Sequence, residues 1–411
     1  MSVTSYPALV RLDDYGNIVR IGGTSADAFG RARVSSPITL FDSQNRYAKS
    51  DDFDESVSGS ATVTYSANES SVLLNVTGSS GDEVVRETKR VFSYQPGKSL
   101  LVMNTFVMPT AHANVRCRIG YFSTQNGVYF ERSGTTLNIV RRTYTSGSVV
   151  NNAVAQASWN GDKLDGTGPS GITIDTTKSQ IFWQDFEWLG VGSVRTGFVI
   201  NGVFIVCHTF NNANNLALVY MTTAILPIRY EITNTGATDG SRTMKQICST
   251  VISEGGYEKK VALQTARMAS TAAVSTTLVP LLSLRLDPSR LDAVVIPDGY
   301  NVLPIASAST TFEIQLVKNA TLTGSSWSQT TSDNVEYDVS ATALSGGVVV
   351  DSIYVTESNQ TSSAVSNNEA YNFDMQLGRT LAGVSDIYTI AARTLSGSQN
   401  AIATFSFWDL T

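Results

Sequence analysis

Asn201-Gly202, set between the apolar runs VRTGFVI and VFIVCHTF, constrains this chain more than any other pair of residues. A two-residue type I′ hairpin connection needs φ > 0 at both central positions, and Asn-Gly adopts that geometry at little steric cost. The dipeptide therefore predicts one strand over 194–200 and an antiparallel partner over 203–210. A third strand is predicted over 181–189, reached through the turn at 190–193. Three neighbouring strands so rich in Phe, Trp, Val and Ile are expected in the middle of a sheet, because an apolar edge would template aggregation.

Strand patterns continue on both sides of this hairpin. They are predicted at 62–65, 71–77, 84–94, 99–108, 115–123, 127–132, 136–142, 217–223, 228–234 and 245–253. Residues 95–98 (QPGK) and Ser133-Gly134 supply turn chemistry between them. The rhythm breaks over 158–172, where Gly161, Gly166, Gly168, Pro169 and Gly171 predict a long ordered loop. Composition shifts again at 254–260 (EGGYEKK), which places a linker at 258–263. Beyond it lies a second series of strands, with Asp298-Gly299 and 345–347 as turns. No convincing amphipathic helix occurs. The expected architecture is all-β: an extended N-terminal arm (1–36), a large antiparallel β-sandwich of jelly-roll type (37–257) and a smaller C-terminal sandwich (264–411). The arm is too short to bury a core of its own, so it must lie on the body or on a neighbouring subunit.

Charge narrows the possible roles. The 411 residues carry a formal charge of -6, and only 16% are charged. A nucleic-acid binder would show a basic field, and Arg31, Arg33 and Arg46 are too sparse to make one. A surface low in charge suits a protein that works in an assembly. The three cysteines, Cys117, Cys207 and Cys248, are widely spaced and imply neither a disulfide framework nor a zinc cluster. No cofactor motif is present, no secretory leader is expected at the N-terminus, and no apolar run is long enough to cross a membrane as a helix.

Three candidate chemistries remain. Asp185 and Glu187 are two apart on a predicted strand, so both face one side, about 6–7 Å apart along it. That places two carboxylates where a retaining glycosidase would need them. Jelly-roll glucanases carry Glu-x-Asp-x-(x)-Glu, however, and the position two before Asp185 is Trp183. Alternation supports a bland reading, with Phe182, Gln184, Phe186 and Trp188 on one face. The default is therefore no catalytic residue. Asp162, Asp165 and Asp175, among glycines, could gather oxygen ligands for calcium, although loop aspartates more often cap turns. Trp159 and Trp327, if exposed, could stack on a sugar; buried, they are core.

Five stretches carry a resemblance: 28–47 (AFGRARVSSPITLFDSQNRY), 86–99 (RETKRVFSYQPGKS), 159–181 (WNGDKLDGTGPSGITIDTTKSQI), 220–231 (YMTTAILPIRYE) and 249–257 (STVISEGGY). Together they resemble virion structural proteins of tailed bacteriophages of marine, cyanobacterial type. The similarity is strong over about 28–260 and looser beyond. Separately, the hairpin over 197–206 is similar to one in the concanavalin-type lectin and glucanase jelly roll. The resemblance implies a non-enzymatic particle component, in capsid decoration or in the tail or baseplate, that assembles with other phage structural proteins. It implies a homo-oligomer, with a trimer as the first expectation. Phe29, Arg31, Arg33, Phe41, Arg46 and Tyr47 are the expected docking residues. The alternatives are a tail adhesin that binds a host surface glycan and a glycan depolymerase using Asp185 and Glu187.

Overall fold

The computed structural model describes residues 36–259, 263–357 and 373–411, with the strand backbones at Val10–Leu12, Ile18–Arg20 and Val365–Asn367. The larger sandwich has a seven-stranded sheet in the order Val150–Ala155, Thr136–Thr143, Gly127–Ser133, Val115–Phe122, Ile228–Asn234, Glu83–Thr88, Phe53–Ser58. The facing sheet runs Val203–Phe210, Val194–Ile200, Gln180–Phe186, Leu100–Val107, Arg242–Ser253, Ser71–Val76, Thr62–Ser66. Its eighth strand, Ile38–Gln44, pairs with the far half of Arg242–Ser253. Every pairing is antiparallel. The two inner faces enclose one core, centred on Phe130, whose ring lies 5.1 Å from Phe198, 5.7 Å from Phe182 and 6.1 Å from Phe106.

The Asn-Gly hairpin forms with the expected bounds, Val194–Ile200 and Val203–Phe210, and with φ of 53° at Asn201 and 77° at Gly202. Its position corrects the sequence expectation, because Val203–Phe210 is the outermost strand of its sheet and not a central one. The edge is sealed instead of paired. The Gly161 and Asp162 N–H groups donate to Cys207 O and Val206 O, both at 2.9 Å, and the Asn160 side chain brackets Thr209. A Cβ at Gly161 would fall 2.4 Å from Val206 O, so a glycine is needed for the loop to lie flat on the strand. The glycine-rich loop thus does part of the work that a further strand would do.

Two other expectations also change. Residues 217–223 lie in a loop spanning 211–224 that has no strand except its link to the two-residue pair at Ile225–Leu226. Asp298-Gly299 is not a turn but a register shift inside one long strand, Val295–Ile305. A bulge lets a strand continue through residues that would otherwise end it.

The C-terminal sandwich has its own core, containing Leu282, Leu284, Ile314, Ile390 and Phe405. Its five-stranded sheet includes Leu263–Arg267, Gln399–Asp409 and Val295–Ile305. Its six-stranded sheet runs Ser328–Gln329, Val335–Asp338, Val279–Leu286, Ile387–Thr394, Thr310–Lys318, Val348–Glu357. Residues 373–386 then reach back onto the larger sandwich. Phe373 packs on its core and meets Tyr257 edge-on at 4.8 Å. Gln376 Nε2 donates to Val91 O, Arg379 N–H to Lys89 O and Leu381 N–H to the Asp54 carboxylate. Within the expected linker, Glu258 is tied to the Gln95 side chain in both directions.

The docked segment joins a chain of ion pairs across the outer face of the seven-stranded sheet. Arg379 Nη1 lies 2.7 Å from Glu87, Glu87 2.5 Å from Arg229, Arg229 2.6 Å from Glu231, Glu231 3.3 Å from Arg118 and Arg118 2.8 Å from Glu131. Strand register makes this possible, because Glu131, Arg118 and Glu231 lie directly opposite one another, as do Arg229 and Glu87. Burial alone would raise the Glu231 carboxyl, but Arg229, Arg118 and Arg142 outweigh it and hold its pKa below the usual range.

Candidate ligand cleft and exposed surfaces

A cleft of about 600 Å³ opens on the outward face of the hairpin sheet, lined by Tyr94, Lys98, Ser99, Asp185, Glu187, Arg195 and Asn211 among others. Strand alternation puts Asp185 there, since Phe182, Gln184 and Phe186 are fully buried on the inward face. Asp185 is itself 8% exposed. Its Oδ2 accepts from Arg195 Nε at 2.8 Å and from a second guanidinium nitrogen, while Oδ1 accepts from Ser99 Oγ. Both oxygens are engaged, so the group is built as an ion-pair partner and not as a free nucleophile. Glu187 lies past the strand end, exposed, with Oε2 accepting from Ser193 N–H at 3.3 Å. Trp183, standing where the glucanase pattern has its first acid, is covered by the Phe204 ring at 5.4 Å.

The structure disperses most of the other expected site residues. Asp162 is buried and accepts from Leu164 N–H and Ser170 N–H, fastening the glycine-rich loop. Asp165 and Asp175 each accept from the residue two ahead, Thr167 and Thr177, through both backbone and hydroxyl. These hydrogen bonds, with the hydroxyl bond the largest, hold both carboxyls below their ordinary range. The calcium expectation is thus corrected: the three aspartates cap separate turns, and no cluster of three potential ligands that could hold a metal occurs among the described residues. Trp159 is 2% exposed, packs on Phe130 and donates its indole N–H to Val154 O. It is core and not a sugar platform. Trp327 is half-buried, with the Arg285 guanidinium 4.2 Å from its ring centre. One face is therefore already occupied.

Of the expected docking residues, Phe29, Arg31 and Arg33 lie outside the described residues. Phe41 is corrected: it is 2% exposed, stacked with Phe53 and Phe92 and overlaid by Arg90. Its strand pairs with Arg242–Ser253, so the sandwich needs it to close. Arg46 and Tyr47 do remain on the surface.

Sequence reading missed one open apolar surface. Leu189, Val191, Leu216, Leu218 and Val219 are all exposed, Leu218 by 66%. They stand on two loops bound together by Tyr220 N–H to Gly190 O and Asn212 Nδ2 to Gly192 O. Apolar content suggested a strand over 217–223; the signal that Leu216, Leu218 and Val219 face solvent lay in the Asn-rich stretch 211–215, which turns the chain out of the sheet.

The fold and this surface define the protein as a double β-sandwich whose larger member is a jelly-roll-like sandwich. No family model and no curated protein matches the chain. Solved structures similar to part of this chain include the carbohydrate recognition domain of Emp47p, at 9% identity and TM-score 0.34, covering 56% of this chain and 99% of that one. A Bacillus licheniformis β-glucanase matches at 10% and 0.34, over 51% and 96%. A carbohydrate esterase, vb_24B_21, from the Shiga toxin-encoding bacteriophage phi24B matches at 13% and 0.31, over 53% and 100%. Likeness this low says nothing of what this chain binds.

Proposed function

We propose that the protein is a non-enzymatic structural component of a tailed-phage particle that assembles through exposed apolar surface and sheet edges. The observation that carries this is the cluster Leu189, Val191, Leu216, Leu218 and Val219, open to solvent on two loops hydrogen-bonded to each other. Contiguous apolar surface on a folded chain marks an interaction site. The engaged Asp185 carboxylate fits a role without catalysis. The phage setting rests on the resemblance of residues 28–260. The double variant Leu216→Ser, Leu218→Asp tests the reading, because exposed substitutions of this kind change stability by roughly 0.5 kcal/mol or less. Particles assembled with it should lose the protein while its own melting curve is unchanged; normal incorporation would overturn the proposal.

A second reading, a glycan-binding adhesin, is favoured by the cleft, where Lys98 and Arg195 stand near Glu187 and Tyr94. It expects glycan-array binding that Arg195→Ala abolishes, and a blank array removes it.

A further inference from the structure

Four edge strands of the larger sandwich carry a feature that blunts them. Val203–Phe210 has a register shift opposite Thr196 and Gly197 and is sealed at Val206, Cys207 and Thr209 by residues 160–162. Ile38–Gln44 has a register shift opposite Val251 and Ile252 and carries Asp42. Phe53–Ser58 carries Asp54 and Glu55, the first bonded to Leu381 of the C-terminal sandwich and the second paired with Lys49. Thr62–Ser66 is short and half-buried over much of its length. In the smaller sandwich, Val348–Glu357 is broken by a bulge opposite Leu316 and Val317, beside the charged Asp351. Bulges and charges of this kind keep edges from pairing.

Val150–Ala155 has neither a charge nor a bulge. It pairs with Thr136–Thr143 in unbroken register from Asn138↔Ala155 to Thr143↔Val150. Residues 150–153 are exposed, and the strand is held stiff by Asn151, whose Oδ1 accepts from Arg142 Nε at 3.0 Å. In an antiparallel pair every second residue turns its N–H and C=O away from its partner. Of those outward groups, the Val154 carbonyl accepts the Trp159 indole. No charged residue occurs between Arg142 and Asp162.

We infer that this edge joins a second copy of the same chain, the two Val150–Ala155 strands pairing antiparallel about a two-fold axis. The inference rests on the assembly reading above and names one of its contacts. A charged partner strand would find no complement here, whereas a second copy brings only Val, Asn and Ala to face Val, Asn and Ala. Antiparallel pairing of a strand with itself is isologous, so it closes at two copies. The two seven-stranded sheets then continue across the axis, and backbone hydrogen bonds supply the attraction.

Light scattering and sedimentation of the full chain test it. The native protein should show a concentration-dependent dimer. Ala153→Lys and Ala153→Glu, each placing like charges across the axis, should each be monomeric, and their equimolar mixture should recover the dimer. Asn152→Cys should give, on mild oxidation, a covalent species of twice the 44.1 kDa chain mass. A native chain that is monomeric at every concentration overturns the inference, as does a dimer that Ala153→Lys leaves intact and Asn152→Cys fails to cross-link. Should a lysine variant misfold, the cross-link decides alone. Particle incorporation separates the two readings: if the edge does not pair but Leu216→Ser, Leu218→Asp still abolishes incorporation, only this inference fails.

Discussion

Arg379→Met should convert unfolding of this protein from one cooperative transition into two, with the C-terminal sandwich released from the larger one first. Arg379 bonds Glu87, which is 2% exposed, and Asp292. Methionine fills similar volume without the charge. Removing one member of a buried pair leaves the other poorly compensated, at a cost of about 3–5 kcal/mol, reduced here because Arg229 still reaches Glu87. Differential scanning calorimetry reads the result; one unchanged transition would show that Phe373, Gln376 and the backbone bonds hold the sandwiches together without the ion pair. The same network sets an acid limit. Glu231 has a depressed pKa in the folded chain, so its contribution is complete above the unfolded value and is lost as pH falls through the folded one. Stability should therefore decline below about pH 4, and Glu231→Gln should flatten that decline while lowering stability at pH 7.

Gln184→Leu should be the most damaging single change inside the larger sandwich. Gln184 is fully buried among aromatic side chains, yet its amide crosses to the opposite sheet. Oε1 accepts from Tyr121 N–H at 2.9 Å, and Nε2 donates to Val128 O at 2.6 Å. The crossing fits because Gly120 lacks a side chain; a Cβ there would sit 3.1 Å from Gln184 Oε1 and 2.6 Å from Val128 O. Leucine matches the volume and leaves two buried backbone groups without this partner, at about 1–3 kcal/mol each. A fall in the urea midpoint of that size is expected. Equal stability of the leucine variant would mean that the strand ladder satisfies both groups unaided.

Much of the fold was legible. The hairpin bounds at 194–200 and 203–210 follow from Asn201-Gly202 and from period-2 alternation, both local properties of the chain. The inward set Phe182, Gln184 and Phe186 follows from the same alternation, although nothing local shows why a glutamine belongs among them. The candidate site was less legible. Asp185 and Glu187 could be placed on one face, but whether Asp185 is free depends on Arg195 and Ser99, the latter 86 residues away in sequence. Trp159 suits a platform or a core by its local pattern, and only its packing on Phe130 of the strand Gly127–Ser133 makes it core.

The class of fold, the Asn201-Gly202 turn and the face each residue of a strand takes follow from the chain alone, because those depend on backbone preferences and on spacing along one strand. Which strands are edges and what covers them is set by the tertiary fold, as is the conversion of Asp298-Gly299 from an expected turn into a bulge. The ion-pair chain from Arg379 to Glu131 was likewise invisible in the sequence, since its members come from four strands and a distant loop. Such contacts arise from the order in which strands pair, and no local pattern records that order.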